Sequence, residues 1–187
     1  MRRLPIVLLL AALAIPPARA ADDILDAIDS ARKAYQSGDL GGAKQSLDLA
    51  SQLIGQKNAE GFAALLPAAL AGWKAEAVQT SAVGTVGFGA STASRTYTNA
   101  KGGTVEVQIT GDSAMVTQFA TLLSNPQVAG AMGKIVRVGN QRAIQNPDGD
   151  VNMVIANKYM IVVSGSADAA AKMAYAQAVD VAKLSKM

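Results

Sequence analysis

The 187-residue sequence predicts an α+β fold, an antiparallel sheet flanked by helices and preceded by an N-terminal helical hairpin. Three observations predict it. Apolar residues recur at helical spacing from Asp22 to Leu66; beyond Gly72 the texture changes to short alternating runs broken by glycine and asparagine; and a last helical stretch, rich in alanine, closes the chain. The organisation expected is a leader over 1–20, a helical lead-in over 21–70 and a sheet domain over 71–187.

Met1 to Ala20 reads as a signal peptide: Arg2 and Arg3 precede an apolar run from Leu4 to Ile15, and Pro16-Pro17 break it before Ala18-Arg19-Ala20. Cleavage between Ala20 and Ala21 would deliver a periplasmic or secreted protein. The apolar run is shorter than the roughly 20 residues of a membrane span, and no later stretch is continuously apolar over that length, so no transmembrane segment is expected in the mature chain.

In the lead-in, Ile24, Ile28, Ala31 and Tyr35 form one stripe, with Asp22 and Asp23 as caps and Gly38 as the stop. A second helix follows Asp39, carries Leu40, Ala43, Leu47, Ala50 and Ile54, and is expected to end at Gly55; a third is expected from Asn58 to Leu66, before Pro67. Ala34 to Asp39, continued by Ala43, Leu47 and Ala50, resembles one tetratricopeptide hairpin, but the sequence holds no second copy to stack on it. Burial of Ile28, Tyr35, Leu47 and Ile54 on the chain's own sheet is the expectation.

Strands are predicted over Trp73–Val78, Ser91–Thr98 and Thr104–Thr110, the last with Val105, Val107 and Ile109 inward, and Asn99–Gly103 turns between the latter two. Ser113–Ser124 reads as a helix capped by Asp112 and stopped by Asn125-Pro126. Turns at Gly139-Asn140, Pro147–Asp150 and Asn157-Lys158 join Lys134–Val138, Gln141–Gln145, Val151–Ala156 and Tyr159–Ser164 into a meander. The last two strands are apolar on both faces, so cover is expected on both. A helix over Ala167–Leu184 should lay Ala170, Ala174, Ala178 and Val181 on one of them.

Composition removes much chemistry. The absence of cysteine and histidine excludes disulfides, Cys-His zinc sites, histidine-ligated haem and any triad with an imidazole base. Eight aromatics offer little for stacking sugars or bases. Arg2, Arg3 and Arg19 supply the whole formal excess of +3, so the chain from Ala21 carries 14 groups of each sign and nucleic-acid binding is not expected. Residues 21–70 hold seven acidic and four basic groups.

Each motif has a plain structural use. Ser30-Ala31-Arg32-Lys33 matches S-x-x-K but lacks its companion motifs. Gly84, Gly87 and Gly89 are in the wrong order for a dinucleotide loop and read as a flexible loop. Asp148, Asp150 and Asn152 alternate as calcium ligands do, yet Met153 and Val154 follow where further ligands belong, so no metal site and no cofactor is assigned. Arg95 and Tyr97 share a strand face, and Arg137 and Arg142 flank a turn; together these four are the candidate ligand- or partner-binding patch, with pairing of Arg95 to Glu106 as the competing use. No catalytic residue is assigned.

Gly72-Trp73, Ser94-Arg95-Thr96-Tyr97, the helix before Asn125-Pro126 and the run Val154-Ile155-Ala156-Asn157, behind a signal peptide and helical lead-in, resemble a group of uncharacterised bacterial exported proteins with a PsbP/Mog1-like α/β sandwich, over residues 72–184. That resemblance implies a non-enzymatic accessory or binding role and transfers no catalytic motif. The function expected is therefore an exported binding protein that engages an envelope protein or an apolar small molecule through its sheet and covering helices. The alternative is a carboxylate-based hydrolase of the cell envelope, using Asp112 with Glu106 or Asp148 with Asp150. Oligomeric state is not legible in the sequence.

Overall fold

The computed structural model describes residues 22–82, 90–111 and 113–187; the leader over 1–20, Gly84, Gly87, Gly89 and Asp112 lie outside the described residues. Asp22 caps α1 (Asp23–Gln36), its carboxylate accepting from the Leu25 N–H, and Gly38 turns the chain at φ +80°. Asp39 then caps α2 (Leu40–Ala63) by accepting from the Gly42 N–H at 2.9 Å. The expected stop at Gly55 and separate helix from Asn58 are not found: α2 runs through both. A Cβ at Gly55 would lie 3.2 Å from the Ala82 Cβ, so this glycine lets the helix approach the sheet closely, and packing there outweighs a helix-propensity cost of about 1 kcal/mol.

The sheet is antiparallel throughout, with strands β1 (Trp73–Ala75), β2 (Gln79–Ala82), β3 (Ser91–Asn99), β4 (Thr104–Gly111), β5 (Lys134–Val138), β6 (Gln141–Gln145), β7 (Val151–Ile155) and β8 (Tyr159–Ser164). Their order is β1-β3-β4-β8-β7-β6-β5, with β2 also on β3. The strand expected over Trp73–Val78 is shorter, β1, and β2 forms over Gln79–Ala82, where no strand is expected. After β4 the chain crosses to the far edge through α3 (Ala114–Ser124) and α4 (Pro126–Met132). Asn125 and Pro126 end α3 as expected, but they also start α4: Asn125 accepts from the Gln127 N–H, and proline stands in the first turn, where its missing N–H costs nothing. From β5 the meander returns strand by strand to β4.

Antiparallel partners in register point to the same side, so the pairings sort the sheet into two faces. One face carries Ala93, Tyr97, Val105, Val107, Ile109, Met153, Ile161 and Val163, all buried, and forms the core with Phe62, Leu65 and Leu66 of the lead-in and Tyr175, Ala176 and Leu184 of the C-terminal segment. That core crosses the boundary expected at residue 70. The other face is largely polar and half-buried over β3 and β4, with Thr92, Ser94, Thr96, Glu106 and Gln108, and carries Met160 and Val162 on β8; α3 packs on it over β7.

The C-terminal helix is two pieces, α5 (Ala169–Ala178) and α6 (Val181–Leu184), divided where Val179 becomes extended and Asp180 caps again. The expected small-residue stripe does not face the sheet: Ala170, Ala174 and Ala178 are exposed, and Lys172, Tyr175 and Ala176 are buried instead. Tyr175 contributes far more apolar area than any alanine, and that area determines which side turns inward.

Candidate functional site

The four residues of the expected patch are not brought together. Arg95 and Tyr97 lie on the core face of β3, whereas Arg137 and Arg142 are direct partners across β5 and β6 on the opposite face. Three strands, β4, β8 and β7, stand between β3 and β6. The pairing of Arg95 with Glu106 does not form either, because Glu106 is opposite Thr96 and on the other face. Arg95 donates from Nε to the Glu76 carbonyl at 2.8 Å.

Tyr97 has no exposed surface. Its hydroxyl donates to the Pro67 carbonyl at 2.6 Å, and its ring lies 4.3 Å from that of Tyr175, which in turn meets Trp73 edge-on at 5.3 Å. The Tyr175 hydroxyl accepts from the Leu70 N–H. These two phenols hold the segment between α2 and β1 onto the sheet. Burial pushes the Tyr97 pKa from 10.0 up to about 12, against the nearby Arg95 guanidinium, which favours the phenolate; burial also raises Tyr175. A phenol so enclosed anchors the fold and is not available to a ligand.

The aspartate turn is occupied by a side chain. Lys172, buried on α5, donates from Nζ to the Asp150 carboxylate at 2.7 Å and to the Asp148 carbonyl at 2.8 Å. An ammonium thus stands where the alternating acids suggested a cation. Gly149 is required at this contact: it takes φ +83°, and a Cβ there would come within 2.7 Å of the Ala169 Cβ. The pair Asp148 and Asp150 is therefore a docking clamp for α5, and Asp150 is committed to Lys172. Sequence reasoning missed Lys172 because a lysine in an alanine-rich helix reads as solvated; the acidic turn opposite was the available signal.

A cleft of about 480 Å³ opens between α2, the start of α3, the β7–β8 turn and the C-terminus, where Asn58, Thr117, Asn157 and Lys158 face Phe62 and Met187. Its volume suits a small molecule.

The largest departure from expectation is the hairpin. α1 packs on α2 and on no other element to a comparable extent, while only the second half of α2, through Ala59 and Phe62, rests on the sheet. The seam between the helices is made by Ala27, Ala31, Ala43 and Ala50, all buried. Beside it, Leu25, Ile28 and Tyr35 of α1 and Leu40, Leu47 and Ile54 of α2 remain between 42% and 69% exposed, and Leu49, 50% exposed, lies about 200° round α2 from Leu47. The residues expected to be buried on the chain's own sheet are therefore outside it. Alanine takes the seam because close approach of two backbones favours the smallest side chain, and the large residues next to it on each helix are displaced to one flank. Charge flanks them in pairs, Asp29 with Arg32 at 3.0 Å and Lys44 with Asp48 at 2.7 Å. The hairpin is an arm with an apolar side.

No helix among the described residues is long and apolar enough to cross a membrane. Comparison with protein-family models, curated proteins and solved structures finds no match to this chain.

Proposed function

We propose that this chain is an exported, non-catalytic binding protein that engages a protein partner through the apolar side of its α1–α2 arm. The observation that carries the reading is the exposure of seven large apolar side chains, six of them beside the alanine seam, on an arm whose own domain does not cover them. Apolar surface on that scale, gathered on one element pair, marks an interaction site. The leader-like first 20 residues support export, and the element order, which resembles the PsbP/Mog1-like sandwich, supports an accessory role. The sheet itself is the weaker surface for such a role, because its apolar face is filled by the protein's own helices and its other face is mostly polar over β3 and β4.

A photo-crosslinking residue placed at Tyr35 or Leu47 in producing cells tests this. Adducts are expected at both positions, absent from a probe at Lys101 in the exposed β3–β4 turn and lost when Leu25 and Ile54 are changed to Asp. Equal adducts at all three positions, or none at any, would refute the reading.

A further inference from the structure

Resting on that reading of the arm, we infer that the occupant of its apolar side is a second copy of the same arm, the two hairpins closing into a four-helix bundle. The spacing is the first support. Ile28 and Tyr35 are seven apart, as are Leu40, Leu47 and Ile54, and the seam alanines Ala43 and Ala50 keep the same interval. Seven-residue repetition places each large side chain above the last along one side of its helix, the pattern by which helices pack side by side at shallow angles into bundles. A hairpin with one such side satisfied internally by alanine and the adjacent side open is half of that arrangement.

The area is the second support. At roughly 100 Å² of exposed surface per side chain, the six residues present about 600 Å² on one copy, and a two-fold pair removes on the order of 1,200 Å² from water, the lower bound for a specific, stable interface. A two-fold contact uses the same patch on both copies, so the patch must complement itself. This one does: its centre is aliphatic, and its flanks carry both signs, Asp29 with Arg32 on α1 and Lys44 with Asp48 on α2. An anionic lipid surface is the poorer occupant, because residues 21–70 hold seven acidic groups against four basic ones.

On the expected cleavage between Ala20 and Ala21, the species to measure is the chain from Ala21 to Met187. Sedimentation equilibrium at about 10 µM is expected to return twice the chain mass, and Leu47→Asp to raise the dissociation constant at least about tenfold while the far-UV spectrum is unchanged. Should Leu47→Asp lose helix content, the cysteine test decides. The sequence contains no cysteine, so any disulfide formed by Leu47→Cys or Ile28→Cys reports the introduced thiol. Both positions lie midway along the arm, beside any two-fold axis through its apolar side, and oxidation should produce a covalent dimer that Lys101→Cys does not. A monomer throughout, or a dimer indifferent to Leu47→Asp that forms no Leu47→Cys disulfide, overturns self-pairing. In that event arm-specific adducts to a different protein in the photo-crosslinking experiment leave the docking reading standing, and their absence removes both.

Discussion

Tyr97 does two jobs that separate with pH. Its hydroxyl ties the Pro67 carbonyl to the sheet, so Tyr97→Phe leaves a buried acceptor without its donor and should lower stability at neutral pH by about 1–2 kcal/mol, read from the denaturant midpoint. Its pKa, raised by burial from 10.0 to about 12, means that the folded state holds the neutral phenol longer than the unfolded chain does. That contribution is complete below about pH 10 and is lost as pH climbs through about 12. Tyr97→Phe should therefore flatten the fall in stability over that window, with Tyr175 retaining part of it, as followed by phenolate absorbance and circular dichroism. Lys172 is the second residue of consequence. Removing a buried ammonium leaves Asp150 without its charged partner, with Asn146 still donating to it, and Lys172→Ala also opens a cavity under α5, so a loss of about 3 kcal/mol is expected in the same measurement. A change below about 1 kcal/mol would mean that the clamp contributes little.

Among the elements, the arm rests on its caps. Gly41 and Gly42 both lie in the first turn of α2, yet a Cβ at Gly41 meets only an Asp39 carboxylate oxygen at 3.6 Å, whereas one at Gly42 collides with that carboxylate, which accepts from the Gly42 N–H. Gly41→Ala should stabilise α2 by up to about 1 kcal/mol through helix propensity alone. Gly42→Ala displaces the cap and should cost about 1 kcal/mol. Hydrogen exchange in residues 40–50 gives opposite signs for the two substitutions if the cap holds the turn, and the same sign if it does not. A helix with glycine at two of its first three positions depends on this single carboxylate to start where it does.

In the molecule as a whole, the lead-in is partly core and partly arm. Phe62, Leu65 and Leu66 are buried with the sheet residues, and each contributes about 1.5–3 kcal/mol on burial, so removing all three approaches the entire stability of a domain this size. A fragment from Gly72 to Met187 should therefore show no cooperative denaturant transition at the midpoint of the longer chain. Were it to melt with an unchanged midpoint, the lead-in would be an independent module and the continuous core described above would be wrong. α1, which packs chiefly on α2 among the described elements, should exchange its amide hydrogens well before the segment around Phe62 does.

What the sequence determined by itself is what depends on neighbours along the chain. The alternation in Thr104–Thr110 places Val105, Val107 and Ile109 inside, and the turn residues at Gly139 and Gly149, both at positive φ, set where the meander folds back; these are properties of a few consecutive residues. Asp22 and Asp39 likewise announce both helices of the arm. Tertiary structure alone decided which of two adjacent stripes on a helix turns inward, because the 3.6-residue period is the same for both. In α1 and α2 the alanines won the seam and left Ile28, Tyr35, Leu47 and Ile54 outside; in α5 the alanines lost to Lys172 and Tyr175. It decided also that Gly55 would be a contact and not a stop, that Arg95 and Arg142 would lie on opposite faces, and that an ammonium 22 residues away would fill the aspartate turn. Each of those outcomes depends on distance in space between residues far apart in the chain, and on the competition for buried area that settles only when the layers meet.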